Sequence, residues 1–140
     1  MDFLKEFNEM MKSQQEIALA SCVKDIPNVR IVNFVHLEET PWIVYFASFK
    51  DNEKVKEFAE NPNISFTTIP HDEMKHIRVV GANIQKSNQT IFDMQSAFES
   101  KILWYDETIA FGGENLWVYE IHFKEARVIV DIAQEGVVEV

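Results

Sequence analysis

The run "HDEMKH", His71 to His76, gathers imidazole and carboxylate groups, the side chains that bind metals most readily. Histidines four apart share a helix face, and histidines two apart share a strand face. His71 and His76 are five apart and align on neither, so the run reads as a solvated turn and no metal is expected. Cys22, in "ALASCVK", is the chain's single cysteine. It reads as a small core residue, excludes an internal disulfide or thiolate zinc site, and fits a reducing compartment. Four glycines provide no dinucleotide fingerprint and no phosphate-binding loop, and the serine nucleophile elbow is missing.

Two arginines and three lysines are more informative. Arg30 in "NVRIV" and Arg78 in "HIRVV" stand among apolar strand residues, where a guanidinium needs a partner. The partner is one of the 23 acids, solvent at the sheet rim, or a bound anion. Lys50, Lys54 and Lys56 cluster in "FKDNEKVKEF", which composition alone reads as the solvated face of a short helix. The formal net charge of −10, with acids in both halves of the chain, argues against DNA, RNA and anionic membranes as partners. Screening confines surface charge effects to about 8 Å at physiological salt, so a local cationic pocket for one phosphate remains compatible with that balance.

The elements that position these residues follow from periodicity. Phe3, Leu4, Phe7, Met10 and Met11 recur at helical spacing and predict an amphipathic helix over 2–14. Strands are expected at 16–23, 28–37, 42–48, 63–70, 75–86, 116–123 and 126–132, separated by turn-forming stretches such as "KDIP", "EETP" and "HDEM". Asp51 is expected to cap a short helix closed by Pro62, and Asn88 to cap a second one carrying Ile91, Phe92, Phe98 and Ile102. Seven strands joined without regular helical crossovers predict a β-rich α+β fold with an antiparallel sheet or barrel, in one domain over 1–140.

Strand 28–37 is apolar on both faces: Val29, Ile31 and Val35 alternate with Val32 and Phe34. A sheet covered on one side alternates apolar with polar, so the second apolar face implies a second subunit. The charged N-terminus is not a secretory signal, and no apolar run reaches the length of a membrane span, which predicts a cytoplasmic protein.

Taken in order, "PNVRIVNF" (27–34), "IVYFASFKDNEKVKEFAENPNISF" (43–66) and "HIRVVGANIQ" (76–85) resemble the core motifs of the pyridoxamine 5'-phosphate oxidase-like FMN-binding split-barrel family. The family pattern is Pro-x-x-Arg on a strand, a strand ending in an aromatic and Ser/Thr, then a Lys opening a short helix that ends in Asn-Pro. Here these are Pro27 and Arg30, Phe46 and Ser48, Lys54, and Asn61 and Pro62. The resemblance implies an antiparallel split β-barrel with short peripheral helices, a homodimer, and FMN in a groove at the subunit interface. It implies that Arg30, Ser48 and Lys54 hold the phosphate, and that Ile31, Val32, Asn33, Tyr45, Phe46, Ala47, Lys50 and His76 line the flavin. Trp104 and Tyr105 would cover the ring from the partner subunit.

Two departures qualify this expectation. Members often carry a basic residue a few positions after the strand arginine, where this chain has "NFVH". True pyridoxamine phosphate oxidases carry an arginine-rich C-terminal substrate segment, and "ARVIVDIAQEGVVEV" contains none, so vitamin B6 oxidation is not expected. The expected function is that of an FMN-dependent oxidoreductase acting on a small molecule, with no general acid or base identifiable. Reduction of nitro compounds, a haem- or deazaflavin-binding relative, and a non-catalytic ligand-binding dimer are the alternatives.

Overall fold

The computed structural model describes residues 1–71 and 73–139; Asp72, in the expected turn "HDEM", and Val140 lie outside the described residues. Nine strands are present among them: β1 (Glu16–Val23), β2 (Ile26–Asn33), β3 (Val35–His36), β4 (Ile43–Phe49), β5 (Asn63–Thr68), β6 (His76–Thr90), β7 (Leu116–His122), β8 (Glu125–Asp131) and β9 (Gln134–Glu139). Four short helices accompany them: α1 (Phe3–Ser13), α2 (Glu53–Glu60), α3 (Gln95–Lys101) and α4 (Tyr105–Gly112).

Every strand pair is antiparallel, and the sheet runs β2-β1-β5-β6-β7-β4-β3, with β8 on β6 and β9 on β8. The chain itself curls the sheet. β2 pairs with β1 at one end of the order, while β3, one residue further on, pairs with β4 at the other. Between them Phe34 is fully buried, and its amide donates to the Gln15 carbonyl at 3.0 Å. The strand expected over 28–37 is therefore one run that changes neighbours at Phe34. β6 makes a similar exchange, from β8 to β7, around Gly81 at φ +70, a left-handed conformation that favours glycine.

Alternation sorts the side chains into two cores. Ile17 and Leu19 of β1, Phe46 of β4, Phe66 of β5, Ile77 of β6 and Ile121 of β7 fill the barrel, which α1 closes with Phe7, Met10 and Met11. On the outer side of β4 and β7, Tyr45, Leu116 and Val118 pack under Phe98 and Ile102 near α3 and Tyr105 and Ile109 of α4. The outer faces of β2 and β6 have no such cover: Val29 and Ile31 are 63% and 61% exposed, and Val80 is 80% exposed.

Three expectations about elements are corrected. Asn52, not Asp51, caps α2, because the helix begins at Glu53 and the Asn52 side chain accepts from the Lys54 amide at 3.0 Å. Asn88 caps nothing, since β6 continues through it to Thr90. The turn leading to α3 opens with reciprocal bonds between Thr90 and Asp93, at 2.9 and 3.1 Å. That is the Thr-x-x-acid capping pattern, present in the sequence two residues later than expected. The count rises from seven strands to nine through the exchange at Phe34 and through β9, which folds back on β8 across Ile132 and Ala133.

Candidate functional site

Arg30 projects from the inward-facing side of β2, the edge strand, and α2 packs across its guanidinium. On α2, Lys54, Glu57, Phe58 and Asn61 follow the i, i+3, i+4, i+7 spacing of one helix face. Asn61 fixes the far end of that face by donating to the Cys22 carbonyl at 2.8 Å. Arg30 Nη2 meets Glu57 Oε1 at 3.0 Å, and Nη1 donates to Ser21 Oγ at 2.9 Å and the Leu19 carbonyl at 3.1 Å. Ser21 Oγ donates to Glu57 Oε1 at 2.7 Å, and Asn28 donates to Oε2 at 3.2 Å. Beneath this network the Phe58 ring lies 5.6 Å from the Arg30 guanidinium carbon. The Ser21 hydroxyl, with Arg30 and Asn28 adding, holds the Glu57 carboxyl below the usual range against the opposing effect of desolvation.

Lys54 is half-buried on the first turn of α2, and among the described residues it has no carboxylate partner. Its amine is shifted below the ordinary lysine value, first by desolvation and then by the charge of Arg30. Two cations therefore face one region with a single acid beside them. The local sum is +1, from Arg30 and Lys54 against Glu57. Lys56, by contrast, is 73% exposed and 3.7 Å from the equally exposed Glu53. Lys50 is exposed as well.

The remaining expected site residues divide by face. Val32 and Phe46 lie on the inward side with Arg30, and Phe46 stacks on Tyr119 at 5.5 Å in the barrel core. Ser48, on the same side of β4, is buried, and its hydroxyl donates to the Phe49 carbonyl at 3.1 Å. Ile31 points outward and is exposed, and Asn33 shares its parity. Tyr45 and Ala47 face the second core, where the Tyr45 hydroxyl pairs with Thr40 at 3.1 Å.

His76 has the outward parity of Arg78 and Val80 on β6, and its Nδ1 lies 2.6 Å from the Met74 carbonyl. Strands β1 and β5 stand between β6 and β2, a separation of roughly 14 Å at the usual strand spacing, so one subunit does not bring His76 to Arg30. Trp104 is 50% exposed at the corner between α3 and α4. Tyr105 beside it is buried and stacks on Phe98 at 4.8 Å, which makes it a packing residue within its own subunit.

Glu57 is the residue that sequence reading missed. Its signal is the shared helix face with Lys54, one turn earlier. Two large hollows lie elsewhere, one of about 840 Å³ beside β4, β6 and β7 and one of about 950 Å³ between α1, β3 and α3. The Arg30–Lys54 cluster borders neither.

A family model described as pyridoxamine 5'-phosphate oxidase-like matches residues 10–135. The chain belongs to this family. No curated protein sequence matches it. Among solved structures, Campylobacter jejuni ChuZ superposes with a TM-score of 0.78 at 21% identity, covering 97% of this chain and 58% of ChuZ. A heme binding protein from Mycobacterium smegmatis gives a TM-score of 0.78 at 12% identity, over 99% of this chain and 58% of that one. General Stress Protein 26 of Bacillus anthracis gives 0.75 at 14%, with both chains covered completely. The chain thus spans little more than half the length of the first two. At such identities the likeness is one of fold, and it establishes the split barrel. Within this fold Arg30 stands on the edge strand β2, and Lys54, on the first turn of α2, lies close enough to feel its charge.

Proposed function

We propose that this protein is a homodimeric flavoprotein that binds FMN and acts as an oxidoreductase on a small molecule. The observation that carries the reading is the half-buried Lys54, which has another cation, Arg30, as its neighbour and no acid of its own among the described residues. Like charges held together out of bulk water are unfavourable unless an anion joins them. A phosphate monoester suits that pair, with two oxygens for the Arg30 fork and one for the Lys54 point charge. Arg30 commits three of its five N–H donors within the protein, which leaves two for such a ligand. When bound, the flavin would supply the redox chemistry, and the chain's own residues would position it and exclude water.

The uncovered outer face of β2, β1, β5 and β6 supports the dimer. Its apolar residues Val29, Ile31 and Val80 flank the small Ala18 and Ala20 of β1, an apolar surface that a second copy would cover. His76 and Trp104, remote from Arg30 within one subunit, would complete the groove across that interface.

A haem reading is the second one, favoured by the heme binding protein among the structural neighbours and by Glu57, which already neutralises Arg30. The protein as purified, and again after incubation with FMN or haemin, distinguishes the two. Flavin absorption and fluorescence that persist through gel filtration support the first. A Soret band from haemin, with no FMN retained, refutes it.

A further inference from the structure

The cavity of about 950 Å³ between α1, β3 and α3 is separate from the Arg30–Lys54 cluster and independent of the flavin reading. Its walls combine an aromatic and aliphatic patch with polar side chains. Trp42, Leu37 and Ala97 provide accessible apolar surface, and the fully buried Phe7, stacked on Trp42 at 5.6 Å with 27° between the planes, and Met11 lie behind it. Lys101, the last residue of α3, enters from one side. Its ammonium lies 3.7 Å from the centre of the Phe34 ring, and it donates to the Met11 carbonyl at 2.9 Å. That carbonyl belongs to the last turn of α1, where intrahelical donors run out.

An ammonium has three donors, and Met11 takes one. No described carboxylate pairs with Lys101. Beside it stands His36, edge-on to Phe7, with Nε2 2.8 Å from the Pro41 carbonyl. A half-buried amine with no carboxylate partner among the described residues is costly beside apolar surface unless something enters to pair with it. The charged groups around the opening are Glu9, Glu38 and Glu139 against Lys12. Because acids outnumber bases there, a bare inorganic anion gains little at the rim. A ligand must bring an apolar body to reach Lys101.

We propose that this cavity is a binding site for a small carboxylic acid with a flat apolar body, whose carboxylate pairs with Lys101 and whose body lies against Leu37, Trp42 and Ala97. The titration behaviour of the site agrees with that geometry. Burial alone lowers the Lys101 amine to about 7, and burial first, then the Lys101 charge, lowers His36. Both shifts report basic groups without anionic partners, although Glu38 opposes the shift at His36.

The test is calorimetric titration of 2-naphthoate and of its uncharged analogue 2-naphthamide into the whole protein. The acid should bind at least about ten-fold tighter than the amide, the effect of one charge-assisted contact. Lys101→Met should remove that preference while leaving the affinity for the amide in place, and Lys101→Arg should restore it. Ala97→Trp, one turn before Lys101 on the same face of α3, keeps every charge but fills the cavity, and should abolish binding of both probes. Equal affinities for acid and amide on the native protein would overturn the proposal. So would a preference that survives Lys101→Met, or no binding of either probe at millimolar concentration. Should Lys101→Met fail to fold, the acid–amide comparison on native protein and the Ala97→Trp variant decide the matter.

Discussion

Glu57→Gln separates the anion site from the fold, because its two effects have opposite signs. Glu57 and Arg30 each retain 18% side-chain exposure, so their pair is largely withdrawn from water. Exchange of the carboxylate for an amide keeps the shape and a hydrogen-bond acceptor but removes one negative charge beside Arg30. The unliganded protein should lose on the order of 1–2 kcal/mol, since charge-assisted bonds from Arg30, Ser21 and Asn28 become neutral ones. A bound phosphate at Arg30 would gain what the carboxylate's repulsion cost. For charges about 6 Å apart this is about 0.7 kcal/mol in a water-like dielectric and about 2.8 kcal/mol at an effective dielectric of 20, per unit of phosphate charge. FMN affinity should therefore rise by roughly three- to hundred-fold.

The assay is fluorescence titration of apoprotein with FMN and with riboflavin, beside urea unfolding of the same samples. Riboflavin, without the phosphate, should respond to neither allele. Linkage supplies a further check. The Glu57 carboxyl is held low in the folded protein, so its stabilisation is present above the unfolded-state value of about 4.3 and is lost as pH falls through the lower folded-state value. The Gln variant should lack that part of the acid dependence. Unchanged FMN affinity in Glu57→Gln, or an equal change for riboflavin, would refute the assignment of the phosphate to Arg30.

Three further outcomes rest on the same geometry. Lys54→Ala should weaken FMN about ten- to hundred-fold with little change for riboflavin, while Lys56→Ala, on the exposed side of α2, should change neither titration. Ile31→Glu places a charge on the uncovered face of β2; sedimentation should show the native protein near twice 16.3 kDa and the variant near one, and a native monomer would remove the interface. Lys101 titrates near 7 when folded and about 10.4 when unfolded, so the unfolded chain holds more protons between those values and stability should rise with pH across that window. Unfolding free energies from urea titrations between pH 7 and 9 should rise more steeply in the native protein than in Lys101→Met, by a difference that approaches about 1.4 kcal/mol per pH unit above pH 8.

How far the sequence could be read depends on whether a feature is local. β1, β4 and β5 were legible because inward residues such as Leu19, Phe46 and Phe66 alternate with outward ones between turn residues. The partner exchange at Phe34 was not, since a strand has the same two-residue period whichever neighbour it pairs with. Gly81 in "VVGAN" did carry a signal for its bend, as an isolated glycine within a strand pattern marks a bulge. The turn at Lys24 and Asp25, with φ of 53 and 64, has the left-handed pair of a tight hairpin without the glycine that usually announces it. At the candidate site, Arg30 and Lys54 were singled out by their order in the family motif. Which of 23 acids would meet Arg30 was not legible, because Glu57 is 27 residues away and reaches it only once α2 packs against β1, beside β2.

Glu57 would also set how Arg30 meets the proposed ligand. An arginine held by a carboxylate, a hydroxyl and a carbonyl at 2.9 to 3.1 Å is fixed in one orientation before any ligand arrives. The entropic cost of ordering its side chain is then met on folding and not on binding. The same contacts lower its net attraction for an anion, so the arrangement favours selectivity in geometry over raw affinity. Haem carries propionates, which an Arg30–Lys54 pair would also recognise, and removal of the Glu57 charge would tighten that ligand too. Affinity changes in Glu57→Gln therefore locate an anion without naming its carrier. The contrast between FMN and riboflavin ties the anion to a flavin phosphate, and a haemin titration that ignored both Glu57 and Lys54 would leave the flavin as the ligand that this edge of the barrel is built to hold.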